Sequence, residues 1–313
     1  MSSKNLHQLF EQYITSCQYG KQLRPQTLKS YRDVYQTFKR VMPEIQTLDD
    51  LHPIVITEFF KRISTRERKV GNKMMKTGVK TSTIKTYYNK LIAFFRWLEH
   101  LNHIEKGALT DKIPKPPNPT YQDDKTLTSE QVSRIISSIA LNCSDDIFGY
   151  KRDLLIINLF IYTGIRKREL LSLRIKDIDF ESKTIFINGK TSKSKKNRTI
   201  PLHPTLIHVL KSYLKELKKK RSYSSSLIVS TRTLKPFTQH GLKHWVERYK
   251  SLSGVRFHVH QTRHTFACAL AQQNASISSI MKVLGHSSIR TTEIYLRSIN
   301  TEDSRDYIDK LSF

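Results

Sequence analysis

The chain has little cysteine, and what it has is scattered: Cys17, Cys143 and Cys268, an odd number with no CxxC pair and no Cys/His cluster. This excludes a disulfide framework and a zinc site of ordinary ligand spacing, and it suits a cytoplasmic setting with reduced thiols. Glycine and proline are also sparse, 10 of each in 313 residues, which leaves no room for long disordered tracts. Neither GxxxxGK[ST] nor GxGxxG occurs, so any chemistry is expected to run without ATP, a dinucleotide or another cofactor, and without a metal. No apolar run approaches the ~20 residues of a membrane span; the longest is LLIINLFIY at 154–162. The N-terminal MSSKNLHQLF lacks a signal-peptide apolar region. Acidic side chains are the most telling shortage, with 27 Asp and Glu against 54 Lys and Arg, a net charge of +27. Solubility needs only about 2–8 net charges on a small domain. An excess this large implies a polyanionic partner, nucleic acid first and an anionic membrane surface second.

A chain of 313 residues exceeds the usual size of one hydrophobic core, so two domains are expected. The N-terminal part is periodic like a helix. In NLHQLFEQYITSC the apolar positions are Leu6, Leu9, Phe10, Tyr13, Ile14 and Cys17; in TLKSYRDVYQTFKRV they are Leu28, Tyr31, Val34, Tyr35, Phe38 and Val41. PIVITEFFKRI predicts a third helix, and a fourth is expected from a Thr81 or Ser82 cap through Leu98. Between these two, STRERKVGNKMMKTGVKTST is basic and punctuated by glycine, and reads as an exposed loop able to meet phosphates. In IPKPPNPTYQDDK, Pro114, Pro116, Pro117 and Pro119 favour extended backbone without helix or ladder hydrogen bonds. The division expected is a helical domain at 1–108, a linker at 109–125 and a second domain at 126–313.

The second domain opens on a capping box, Thr128-Ser129-Glu130-Gln131. RDLLIINLFIYTG predicts a strongly apolar helix stopped by Gly164. KTIFING and NRTIPL are β-branched runs around KTSKSKK, which predicts a hairpin with a basic turn. Helices resume at TLIHVLKSYLKELKKKR and continue through LKHWVERY and RHTFACALAQQ. The fold class expected is mainly α with a small antiparallel β-sheet, a helical domain followed by a mixed α+β one.

Two arginines stand out from the surrounding charge. Arg166 lies between FIYTGI and ELLSL, and Arg263 just before TFACALA, both segments otherwise built for burial. A buried guanidinium requires an anion, and its planar fork matches two non-bridging phosphate oxygens. Glu169 is open to two readings: an ordinary i,i+3 salt bridge, or a carboxylate holding neighbouring side chains in position. His260, His286 and Tyr295, each ordinary as a packing residue alone, frame Arg263 in the sequence.

Four segments in order carry a resemblance to the tyrosine recombinases, the phage-integrase and Xer-type family. TGIRKRELLSL (163–173) resembles the family's TGxRxxE, and KSKKNRTIPL (193–202) its lysine-bearing hairpin. HQTRH (260–264) resembles HxxRH, and LGHSSIRTTEIY (284–295) resembles LGHxxxxTTxxY. The gaps from Arg263 to His286 and on to Tyr295, 23 and 9 residues, fit the family pattern. Residues 4–105 are more loosely similar to its helical, SAM-like core-binding domain. The family's optional arm-binding domain has no counterpart before residue 1, so a minimal chain is expected.

The resemblance implies a site-specific DNA recombinase whose two domains form a C-shaped clamp on duplex DNA, assembled as a homotetramer on two sites. Accessory DNA-bending or directionality factors and a nucleoid-associated location would accompany that role. It implies catalytic roles for Arg166, Lys193, His260, Arg263, His286 and Tyr295, with Tyr295 the nucleophile. A phenol, with a pKa of about 10, leaves phosphorus more readily than an alkoxide, so a phosphotyrosyl link is reversible without ATP. Preset arginines would stabilise the charge that grows on the phosphate oxygens. The histidines would hydrogen-bond the scissile phosphate, His260 serving as general base; His258 and His264 fall off the matching positions, and His264 reads as structural. A hairpin lysine would protonate the leaving 5′-oxygen: the spacing to Pro201 selects Lys193, whereas the preceding GK selects Lys190. The terminal TEDSRDYIDKLSF, with Tyr307, Ile308 and Leu311 at helical spacing, could pack on its own domain or on a neighbouring protomer. Two other readings agree with the charge: a type IB topoisomerase that reseals the same strand, and a non-enzymatic DNA-binding regulator.

Overall fold

The computed structural model describes residues 4–70, 74–118, 126–142, 146–189, 196–221, 223–286 and 288. The chain divides into two compact units, residues 1–121 and 122–313.

In the first unit, helices α1 (Leu6–Thr15), α2 (Pro25–Val41) and α3 (Pro53–Thr65) form where the apolar periodicity puts them. Pro25 and Pro53 occupy first-turn positions, where the preset φ helps and the missing N–H costs nothing. The stretch read as a loop instead carries an antiparallel ribbon, β1 (Glu67–Val70) and β2 (Met74–Thr77), in which Lys69 faces Met75 and Arg68 faces Lys76. Among its described side chains Lys69, Met75 and Lys76 are exposed and none is buried, so these show no buried alternate face of the kind that marks a strand in the sequence.

Helix α4 (Thr81–His100) follows. Its cap position is Lys80, which offers no side-chain acceptor; Thr81 and Ser82 lie inside the first turn and form no cap. The buried stripes of these helices are aromatic. Phe10 stacks on Tyr35 at 3.8 Å, and Phe94 meets Phe10 edge-on at 5.3 Å. Residues 109–113, expected as linker, belong to this core: Leu109 and Ile113 are buried in it. The buried carboxylate of Glu99 secures them, accepting the N–H groups of Leu109 and Thr110 and the Thr110 hydroxyl.

The second unit begins with α5 (Ser129–Leu141). Its capping box is formed: Thr128 Oγ1 accepts from Gln131 N–H, and Gln131 Oε1 from Thr128 N–H. Helix α6 (Ile147–Thr163) is apolar around its circumference and central, with Leu155, Ile156, Ile157, Leu159 and Phe160 fully buried. After the short α7 (Lys167–Ser172) come β3 (Ile178–Asp179), β4 (Thr184–Ile187) and β5 (Arg198–Pro201), an antiparallel sheet in the order β3-β4-β5. The expected hairpin is β4–β5, and its loop is closed by Gly189 N–H donating to Asn197 Oδ1 at 2.7 Å. Pro201 is tolerated because β5 is an edge strand.

Helices α8 (Pro204–Lys219), α9 (Gln239–Ser253), α10 (Val259–Gln272) and α11 (Ile277–Leu284) complete the described unit. A buried bond from Tyr249 Oη to Asp153 Oδ2, 2.7 Å long, ties α9 to α6. Among the described residues no helix is long and apolar enough to cross a membrane.

Candidate active site

Three local turns aim the functional side chains. Helix α6 ends at Gly164 with φ 56°, where an added Cβ would stand 2.5 Å from Phe266 Cδ1. Glycine is therefore required twice over, and the chain turns at once into Arg166, the cap position of α7. Helix α10 is capped by His258, whose Nδ1 accepts from Gln261 N–H at 3.0 Å. His260 and Arg263 follow within its first turns, the imidazole exposed and the guanidinium buried. Helix α11 ends at Gly285 with φ 66°, and a Cβ there would sit 3.0 Å from Arg198 Cδ. His286 follows, its N–H donating to Met281 O.

Three guanidinium groups meet three consecutive carbonyls at the end of α11. Arg198 Nε donates to Val283 O at 2.8 Å, Arg263 Nη2 to Leu284 O at 2.6 Å, and Arg166 Nη2 to Gly285 O at 3.2 Å. The last carbonyls of a helix lack intrahelical partners and form the negative end of its dipole, so cations there satisfy both needs. Arg263 is almost fully buried, and its Nη1 donates to Gly164 O, the corresponding end of α6, at 2.6 Å. Two helix ends thus supply carbonyl dipoles where the sequence led us to expect a charged partner.

The charged partner goes to the other two arginines. Glu169, 1% exposed, accepts from Arg166 N–H and Arg166 Nη1, each at 2.9 Å, and from both terminal nitrogens of Arg198, at 3.0 and 2.7 Å. The i,i+3 salt bridge is present, but it is one side of an Arg–Glu–Arg triad. Burial pushes the carboxyl pKa up. Hydrogen bonds and charge from Arg198, then the N–H and charge of Arg166, overcome this and hold it at about 2. The His286 pKa is lowered as well: burial first, then the charges of Arg263, Arg166 and Arg198 and the nearby His260, bring it down to about 4. At neutral pH it is an uncharged hydrogen-bonding group in a cationic pocket.

Of the residues singled out in the sequence, Arg166, Glu169, Arg263 and His286 are brought together. His260 lies on the exposed side of α10, near enough to weigh on His286. His264 is buried, its Nδ1 3.4 Å from Cys268 Sγ. Tyr295, Lys193 and Lys190 lie outside the described residues. Arg198 was missed, although the sequence carried a signal. In RTIP, period-2 alternation puts Arg198 on the same strand face as the fully buried Ile200, and its cross-strand partner is the buried Ile187. Among the described residues no group of three or more His, Cys, Asp or Glu side chains could hold a metal ion.

This is the fold of a DNA recombinase. The integrase of transposon Tn1549, solved in complex with a circular intermediate DNA, superimposes with a TM-score of 0.74 at 19% identity, covering 99% of this chain and 100% of that one. The XerH site-specific recombinase bound to palindromic difH substrate superimposes at 0.70 with 22% identity, covering 94% of this chain and 82% of that one. In sequence, residues 125–302 match the phage integrase family. Tyrosine recombinase XerA of Pyrococcus horikoshii is 30% identical over 243 residues, 76% of each chain. A tyrosine recombinase of Pseudothermotoga lettingae is 26% identical over 309 residues, 98% of this chain and 99% of that one. The chain belongs to the phage integrase family and is a tyrosine-type site-specific recombinase.

Proposed function

We propose that this recombinase exchanges DNA strands through a 3′-phosphotyrosyl intermediate and a Holliday junction, with Tyr295 as nucleophile. The phenolic oxygen bonds to the scissile phosphorus as the bond to the 5′-oxygen breaks. His260 takes the phenolic proton, and a hairpin lysine, Lys193 in preference to Lys190, gives one to the leaving oxygen. The freed 5′-hydroxyl of one duplex then attacks the link on its partner. Each step breaks one P–O bond and makes another, so the sequence is isoenergetic in bond type. Arg166 and Arg263 take the non-bridging oxygens, and neutral His286 donates a further hydrogen bond.

The observation that supports this reading is the convergence of Arg166 and Arg263 on the carbonyls of Gly285 and Leu284, beside His286, which lies nine residues before Tyr295 in the chain. The partner proposed is duplex DNA carrying a recombination site, held as two sites by four protomers. A lambda integrase tetramer bound to a Holliday junction shares the fold, with a TM-score of 0.70 at 18% identity.

The test is a library of nicked duplexes with randomised sequence, from which covalent adducts are captured on a denaturing gel and sequenced. The expected result is an adduct with a defined site, lost in Tyr295→Phe while DNA binding persists. Binding without an adduct would leave only a regulator. Relaxation of supercoiled plasmid with no exchanged junctions would make the protein a topoisomerase.

A further inference from the structure

We infer that Arg198 is a positioning residue for strand cleavage, acting through Glu169 on Arg166 and through the last turn of α11 on the segment that carries His286. This rests on the recombinase reading above.

The side chain of Arg198 is only 7% exposed, and its three nitrogens are all engaged inside the protein. Its guanidinium is forked onto the Glu169 carboxylate, an anion that neutralises it, whereas Arg263 meets the uncharged carbonyls of Gly164 and Leu284, so the effect of Arg198 passes through its partners. Glu169 is the first. Arg198 Nη1 and Arg166 Nη1 share Oε1, while Arg198 Nη2 and the Arg166 N–H share Oε2. One carboxylate therefore orients Arg166 at both its backbone and its side chain, and Arg198 supplies two of the four hydrogen bonds that this carboxylate accepts. Without Arg198, Arg166 would be the only cation on a buried anion, its charge turned toward Glu169 and away from a phosphate. Low-dielectric surroundings make that redistribution count.

The second partner is the Val283 carbonyl, two residues before a glycine whose missing Cβ leaves room for the Arg198 side chain. Arg198 also stands on the last rung of the β4–β5 ladder before its loop, paired with Ile187. The residue thus joins β5, α7 and the end of α11 at one point. A role confined to packing would hold these elements together without favouring one substrate over another, and that difference can be measured.

The probe is the nicked duplex recovered as above, made in two forms. One has an ordinary scissile phosphodiester. The other has a methylphosphonate there, in which methyl replaces a non-bridging oxygen and removes the negative charge that Arg166 would neutralise. Single-turnover adduct formation is compared for wild type, Arg198→Met and Arg198→Lys, each checked for a wild-type thermal transition. We expect Arg198→Met to slow phosphodiester cleavage on the order of 100-fold, the scale of losing one preset donor to a transition-state oxyanion, and to slow methylphosphonate cleavage far less. Arg198→Lys keeps the charge without the fork and should show the same substrate preference at smaller size. If the methionine variant does not fold, the lysine variant carries the comparison. Equal slowing of both substrates, or none, overturns the positioning role while the recombinase reading stands. No adduct from the wild-type protein overturns both.

Discussion

Glu169 is buried beside Arg166 and Arg198, and His286 is half-buried near the same two and Arg263, so both pKa values fall, which keeps the carboxylate charged and the imidazole neutral. For Glu169 the folded pKa of about 2 lies below the ordinary 4.5. Between these values the unfolded chain holds a proton that the folded chain does not, so stability is lost as pH falls through that window. For His286 the window runs from 6.5 down to about 4, again with stability lost on acidification, because only the unfolded chain gains the charge there. We predict that Glu169→Gln is destabilised at neutral pH by about 3–5 kcal/mol, the scale of leaving one partner of a buried ion pair uncompensated. Its urea midpoint should also fall less steeply than wild type below pH 4.5. Parallel acid profiles would show that Glu169 is not the group that titrates. The sequence marked Glu169 as paired with Arg166, but not as the anchor of a second arginine 29 residues further on. That pairing depends on a strand register, which spacing along the chain does not express.

At the scale of elements, the helices of the first unit were legible because each buries one stripe against a core, and a stripe leaves a 3.6-residue signature, while α6 was legible as a long apolar run. The β4–β5 hairpin was legible for a similar reason: Ile185, Ile187 and Ile200 are buried on one face. The ribbon β1–β2 was not, since Lys69, Met75 and Lys76 are all exposed and none of its described side chains is buried in a core. Its exposed lysines and two-stranded form suit a nucleic-acid groove, which admits such a ribbon. The double variant Lys69→Gln/Lys76→Gln should flatten the dependence of log K on log salt by about 0.9 for each lysine that touches a phosphate, roughly 1.8 in all. An unchanged slope would remove the ribbon from the DNA interface and leave the basic surface of other elements to carry the charge.

For the whole molecule, each unit has a hydrophobic core of its own, aromatic-rich in the first and aliphatic around α6 in the second. The second unit also contains every described residue of the candidate site. We therefore expect residues 122–313 alone to unfold in one cooperative thermal transition and to bind DNA more weakly than the full chain. A non-cooperative melt would show that the second core depends on the first. The boundary shows where local reading stops. Proline marks extended chain near 114–119, yet Leu109, Ile113 and the Glu99 cap draw residues 109–113 into the first core, a tertiary event that the proline pattern does not encode. The sequence by itself determined the helical periodicities, the basic excess, and the order and spacing of the arginine, histidine and tyrosine motifs, because these are properties of neighbours along one chain. Only the tertiary structure decided that three arginines end on Val283, Leu284 and Gly285, that Arg198 belongs with them, and that Glu169 stays ionised while His286 stays neutral. Those outcomes depend on distances between segments far apart in the chain and on the low-dielectric interior they enclose, neither of which exists until the chain has packed.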